Sequence, residues 1–223
     1  DDGLFRPSTD TFLLGAFPRL RRGMVVCELG AGTGLLSLLL LAREPELTVT
    51  GVELQPQACA LFRRTAEENG LQGRMHCLED LRQGLLPPGR FRLAVANPPY
   101  FPPGAGAVAP DAARRTARAE TDCTLSQLCA AAARALTWGG SFCLVHRPDR
   151  LADVLGELRR VRLEPKCLRF VHHTAAAPPS LFLLEARLGG GVGLTVEPPL
   201  LLHGPDGGET EDVRRAYFRD KEE

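Results

Sequence analysis

The stretch MVVCELGAGTGLLSLLLLAR, residues 24–43, decides the fold. It opens with an apolar run of strand length that ends in an acid and a glycine. The turn GAGTG follows, and then an apolar run long enough for a helix. A strand that enters a helix through a glycine-rich turn is the first unit of an α/β sheet. Downstream the pattern repeats. LTVTGVEL reads as a strand and PQACALFRRTAEENG as a helix, with Pro56 in its first turn and Gly70 past its end, the expected asymmetry. RMHCLE and RLAVAN are further strands. TLSQLCAAAARALTW reads as a helix, GSFCLVHR as a strand and DRLADVLGELRRVR as a helix. KCLRFVHH and SLFLLEARL are strands joined by the turn TAAAPPS, so they pair antiparallel. Upstream, STDTFLLGAFPRL starts a helix with Ser8 or Thr9 as N-cap. The strands are nearly continuously apolar, which predicts a mostly parallel, doubly wound seven-stranded α/β sheet covered on both faces, with a C-terminal antiparallel strand. Ligands belong at the carboxyl ends of its strands. The chain reads as a single domain over 1–223, with an N-terminal helical segment at 1–22, a substrate-side loop at 101–120 that is rich in Pro, Gly and Ala over 101–113, and an extension at 189–223.

Composition narrows the class. The chain is 44% hydrophobic and 24% charged, as soluble globular proteins are. Its most apolar run, residues 34–42, falls far short of the roughly 20 residues that span a bilayer, so no membrane association and a cytoplasmic location are expected. Seven cysteines form no CxxC pair and several sit in apolar runs, which predicts buried free thiols in place of disulfides or zinc. Trp138, at a helix end before Gly139-Gly140, is expected in the core. His172 and His173 are adjacent in a strand and face opposite sides, which argues against a metal pair. The formal net charge is zero, yet the acidic residues concentrate in 206–223, leaving the rest net positive, and nearly all the basic residues are Arg. Arginine suits bidentate phosphate contact.

Three strand ends carry acids. In ELGAGTG, residues 28–34, Gly30, Gly32 and Gly34 let a ligand approach the backbone, and Glu28 suits a cationic ligand better than a pyrophosphate. Glu53, followed by Leu54, ends the second strand where a carboxylate can accept the hydroxyls of a ribose. Glu79 and Asp80 follow the third strand, where an adenine amine could be read. The ligand implied carries a ribose, an adenine and a positive centre, and S-adenosylmethionine fits.

The fourth strand ends in Asn97-Pro98-Pro99-Tyr100, followed by Phe101. Two prolines end the strand abruptly and remove two donors while keeping their carbonyl acceptors. An aromatic amine is a poor nucleophile because its lone pair is delocalised. The side-chain oxygen of Asn97 and the carbonyl of Pro98 can accept its two N–H groups, aim the nitrogen, and stabilise the charge that develops on it. Tyr100 and Phe101 can stack on the base.

In that order, ELGAGTG, GVEL and NPPY resemble class I S-adenosylmethionine-dependent methyltransferases that act on amines, with a Rossmann-like fold. STDTFLLGAF, NPPYF, ARAETDCTLSQL, VHRPDRL, EPKCLRFV and the closing PPLLLH…GGET with Tyr217 narrow the resemblance to bacterial tRNA adenine-N6 methyltransferases acting on valine tRNA. The resemblance implies N6-methylation of a flipped anticodon-loop adenine. Asn97, Pro98, Pro99 and Tyr100 would form the catalytic motif. Thr9, Asp10, Glu28, Gly30, Gly32, Gly34, Glu53, Leu54, Glu79, Asp80 and Asn97 would line the cofactor. Phe101, Arg114, Arg115 and Arg118 would meet the RNA of a tRNA anticodon stem-loop. Arg118 and Glu120 also suit an internal ion pair. No metal is implied, and the oligomeric state stays open. Three alternatives remain: a glutamine methyltransferase acting on a peptide release factor, a ribosomal RNA guanine-amine methyltransferase, and a non-catalytic cofactor- or RNA-binding module.

Overall fold

The computed structural model describes residues 8–79, 86–98 and 124–219. Helix α1 (Thr9–Ala16) leads into β1 (Val25–Leu29), α2 (Leu35–Arg43), β2 (Thr48–Glu53), α3 (Pro56–Glu68), β3 (Met75–Glu79) and β4 (Phe91–Ala96). The second half runs α4 (Leu125–Ala135), β5 (Leu136–His146), a 3-10 turn (Pro148–Arg150), α5 (Leu151–Arg160), β6 (Leu163–His172) and β7 (Pro179–Leu188). Two short strands, β8 (Thr195–Val196) and β9 (Leu200–Leu201), and α6 (Glu211–Ala216) follow.

The strands form one sheet in the order β3-β2-β1-β4-β5-β7-β6-β8, with β9 also on β6. β1 lies parallel between β2 and β4, and β7 inserts antiparallel between β5 and β6. The sequence therefore reads the winding and the antiparallel strand correctly, but counts seven strands where nine are paired among the described residues. The two extra are two-residue segments whose only signal is the backbone bonds they make to the edge of β6. They cover an edge that would otherwise offer unpaired donors and acceptors.

Apolar side chains alternate along the strands and build a core on each face. One core takes Leu13 and Leu14 of α1, Leu36 and Leu40 of α2, Phe62 of α3 and Val213 of α6. The other takes Leu128 and Cys129 of α4 with Val154 and Leu158 of α5. No helix among the described residues is long and apolar enough to cross a membrane.

Two sequence expectations fail. Cys59 and Cys77 form a disulfide, because α3 packs back along β3 and brings positions 18 apart to a Cα separation of 6.0 Å. Among the described residues Cys27, Cys129, Cys143 and Cys167 stay free. Trp138 is not core: it is 62% exposed. Helix α4 stops at Ala135, which puts Trp138 near the start of β5. There its ring fills the space beside Gly189, where a Cβ would come within 2.2 Å of it, and the guanidinium of Arg162 lies 4.8 Å from its centre.

Candidate active site

Register brings the predicted strand ends together. Leu29 of β1 pairs with Val52 of β2 on one side and with Ala96 of β4 on the other. Gly30, Glu53 and Asn97 each stand one residue beyond that shared row. At the usual strand spacing Glu53 and Asn97 are two strands, roughly 10 Å, apart. That is the rim an open α/β sheet uses for ligands.

The glycine turn is tied down by its own backbone. The N–H groups of Gly30 and Ala31 both donate to the Val52 carbonyl, at 2.9 and 3.0 Å, and that of Gly34 donates to the Ala31 carbonyl at 2.9 Å. The Thr65 hydroxyl of α3 reaches the Thr33 carbonyl at 2.9 Å. Gly30 has φ +73, and a Cβ placed there meets nothing within 4 Å, so its outer side is open for a ligand. Gly34 differs. Its φ is +85 and a Cβ would come within 2.5 Å of Met75 Cε and 2.8 Å of Phe62 Cδ2. Spacing groups Gly34 with the cofactor residues; in the structure its missing side chain makes room for the core.

Glu53 is 8% exposed, and its two oxygens accept from two backbone donors, Gly32 N at 2.8 Å and Gln55 N at 2.9 Å. Each carboxylate oxygen carries more than one lone pair, so both can take a further hydroxyl. A held carboxylate beside open backbone fits the ribose end of S-adenosylmethionine.

Glu28 is not an exposed anion. It is 4% exposed, between β1 and α2, and accepts from the Ser37 hydroxyl. Burial pushes its carboxyl up to about 8 against the lowering effect of the Ser37 bond, and nearby Glu53 adds to the rise. Without a ligand, burial therefore disfavours a charge on Glu28, and a cation placed beside it would favour that charge again. Glu79 ends β3 and accepts from Arg63 of α3 at 2.9 Å, both side chains about half exposed. Leu54 is half-buried beside Glu53.

Asn97 leaves β4 half-buried, and its Nδ2 donates to Thr11 Oγ1 of α1 at 3.0 Å. This contact brings the Thr9-Asp10 turn to the same rim. Thr9 Oγ1 accepts from Tyr217 Oη at 3.1 Å, and Asp10 is half-buried in the first turn. Ser8 is the N-cap residue, without a side-chain cap bond. Pro98 is half-buried next to Asn97. Asp80, Pro99, Tyr100, Phe101, Arg114, Arg115 and Arg118, along with the Arg118–Glu120 pairing, lie outside the described residues.

Sequence reading misses Thr11, Ser37 and His146. Ser37 is a polar residue inside an apolar helix, which is a usable signal. Thr11 is 86 positions from its partner and gives none. His146 is buried at the end of β5, its Nδ1 accepting from the Arg147 N–H at 2.9 Å, and burial lowers it to about 4.

Comparison with known proteins agrees with this geometry. The family model described as "Methyltransferase small domain" matches residues 8–162. A Yersinia enterocolitica protein named tRNA1(Val) (adenine(37)-N6)-methyltransferase is 34% identical over 67% of this chain, a match that spans 60% of that relative's own length. A Porphyromonas gingivalis protein of the same name is 31% identical over 82% of this chain and 74% of its own. A solved predicted O-methyltransferase of Agrobacterium tumefaciens superposes with a TM-score of 0.76, covering 93% of this chain and 96% of that one. At 21% identity that likeness is one of fold. Turn, carboxylate, asparagine and matches agree: the chain belongs to the methyltransferase small domain family.

Proposed function

We propose that this chain methylates the exocyclic nitrogen of an adenine in the anticodon loop of a tRNA, with S-adenosylmethionine as donor. The observation that carries the reading is the common register of Gly30, Glu53 and Asn97 on one rim. The names of the relatives at 31–34% identity support the tRNA adenine.

Bound S-adenosylmethionine supplies a methyl group activated by its sulfonium. Glu53 and the backbone of Gly30 and Gly32 hold the ribose side of the donor. Asn97 offers its side-chain oxygen to one N–H of the adenine amine, and the Pro98 carbonyl offers a second acceptor. Positive charge grows on that nitrogen during transfer, and two fixed acceptors stabilise it more than the neutral ground state. After transfer the nitrogen gives its extra proton to water, so no strong general base is needed. Tyr100 and Phe101 are assigned to stack on the base. A loop adenine is already partly unstacked, which lowers the few kcal/mol that flipping costs. Arg114, Arg115 and Arg118 are assigned to the RNA backbone, which makes binding weaken as salt rises.

The experiment is methyl transfer from labelled S-adenosylmethionine to separate pools of tRNA, ribosomal RNA and release factor, followed by nucleoside and amino-acid analysis. N6-methyladenosine in tRNA is the expected product. Label in guanine or in glutamine would move the function to those substrates. Bound cofactor with no transfer to any pool would leave a binding module.

A further inference from the structure

Thr11 has no part in the roles considered so far, yet its hydroxyl accepts from Asn97 across 86 positions of chain. Its hydroxyl sits in a short relay. Asn97 Nδ2 donates to Thr11 Oγ1 at 3.0 Å, and Ser8 Oγ lies 3.2 Å from the same Oγ1. Helix α1 itself is held from two sides. Leu13 and Leu14 are buried against the sheet, and Phe12 stacks on Tyr217 at 4.2 Å with the rings 12° apart.

A primary amide is nearly the same shape at both ends but opposite in polarity: one end accepts, the other donates. An adenine amine can be held only by an acceptor. An Asn97 amide rotated by half a turn would present its own N–H groups to those of the base and repel it. Something must tell the two orientations apart, and a hydroxyl alone does not, since it can donate or accept. The relay resolves this in the sense that has Ser8 as acceptor, one of the two its geometry allows. If the single proton of Thr11 is used toward Ser8 Oγ, Thr11 offers Asn97 only lone pairs. The amide must then point its nitrogen at α1, which fixes the edge carrying Oδ1 as well.

We propose that Thr11, with Ser8 behind it, is a positioning residue that sets the orientation of the Asn97 amide for the amine of the substrate. The inference rests on the reading of Asn97 as the amine acceptor.

The test uses the full chain, labelled S-adenosylmethionine and total bacterial tRNA, with Thr11→Val, Thr11→Ser and Ser8→Ala. Valine matches the shape of threonine without its hydroxyl. Thr11→Val should lower kcat about tenfold, the effect of one lost neutral hydrogen bond at its upper end. Cofactor Kd should stay within about twofold and the melting temperature close to wild type. Thr11→Ser should restore kcat, and Ser8→Ala should fall between. In nitrogen-edited NMR spectra the Asn97 side-chain N–H protons should lose exchange protection in Thr11→Val and regain it in Thr11→Ser. A Thr11→Val enzyme with wild-type kcat, or a loss that serine does not restore, overturns the inference while leaving the function standing. Wild-type protein that labels no tRNA overturns the functional reading itself and the inference with it.

Discussion

The two ends of the rim are held by different means. Over β1 and β2, backbone donors do most of the holding: Gly30 and Ala31 bond to Val52, and Gly32 and Gln55 bond to Glu53. Over β4, side chains from distant segments do it: Asn97 to Thr11, Thr9 to Tyr217, Phe12 against Tyr217. The first end is set by the backbone of two neighbouring parallel strands and the turn between β1 and α2. The second is assembled from three pieces of chain and is where one atom can be removed with a defined effect.

The largest effect should come from the second end. If Asn97 is the amine acceptor proposed above, Asn97→Ala should cost about 10²–10³ in kcat, the effect of losing one preorganised group in the transition state. If the cofactor is held over β1 and β2, as proposed, its affinity should hardly change. Calorimetric titration with S-adenosylmethionine, run beside the transfer assay, checks both. A large loss of cofactor binding would show that Asn97 mainly builds the cofactor pocket and would erase the contrast between the two ends.

The first end contains a buried titrating group, so pH can sharpen the comparison. Glu28 is raised to about 8 by burial, above its ordinary value of 4.5. The folded protein keeps this proton over a range in which the unfolded chain releases it. The contribution is complete below about pH 4.5 and is lost as pH rises toward 8. The slope is at most about 1.4 kcal/mol per pH unit. Glu28→Gln carries no charge at any pH. Its melting temperature should gain on wild type between pH 5 and 8 and then level off. A difference that stays flat over that range would mean Glu28 is ionised in the fold. His146 slopes the other way: lowered to about 4 by burial and by the neighbouring Arg150, it costs stability as pH falls below 6.5.

A smaller effect is expected at Glu53. Glu53→Gln keeps the shape but leaves one oxygen where two accept now, and removes the charge that strengthens both bonds. S-adenosylmethionine should bind about tenfold more weakly, the equivalent of about 1.4 kcal/mol, with kcat at saturation nearly unchanged. Unaltered affinity would take the ribose contact away from Glu53.

What was legible in the sequence follows the same division. The winding of the sheet, the glycine turn, Glu53 and Asn97 are written in runs of neighbouring residues, where strand length, glycine spacing and proline punctuation act locally. Gly34 shows the limit of that reading. It shares the spacing of Gly30, but only packing reveals that Phe62 and Met75 occupy the space its side chain would need. The Glu28–Ser37 bond, the Cys59–Cys77 pair and the exposed face of Trp138 depend on how helices lie on the sheet, and composition carries no trace of that. The Thr11–Asn97 contact is the extreme case, because α1 must first dock against strands that follow it in the chain.

The docking of α1 leads to the smallest expected effect. Tyr217 holds the helix in two ways that substitution can separate: its ring stacks on Phe12 and its hydroxyl donates to Thr9. Tyr217→Phe keeps the stack and removes a part-buried hydrogen bond worth about 0.5–1.5 kcal/mol. In a chain of this length that lowers the melting temperature by about 2–4 °C per kcal/mol, so only a few degrees are at stake. Thr11 should stay near Asn97, and kcat should change less than in Thr11→Val. Tyr217→Ala also removes an aromatic contact that Arg219 covers from 4.8 Å, while Glu209 holds the arginine with both oxygens. If α1 is a support for Asn97, the alanine variant should lose kcat well before it loses its fold. If kcat and melting temperature fall together in both variants, Tyr217 supports the domain as a whole, and the end of the rim over β4 is no more separable than the end over β1.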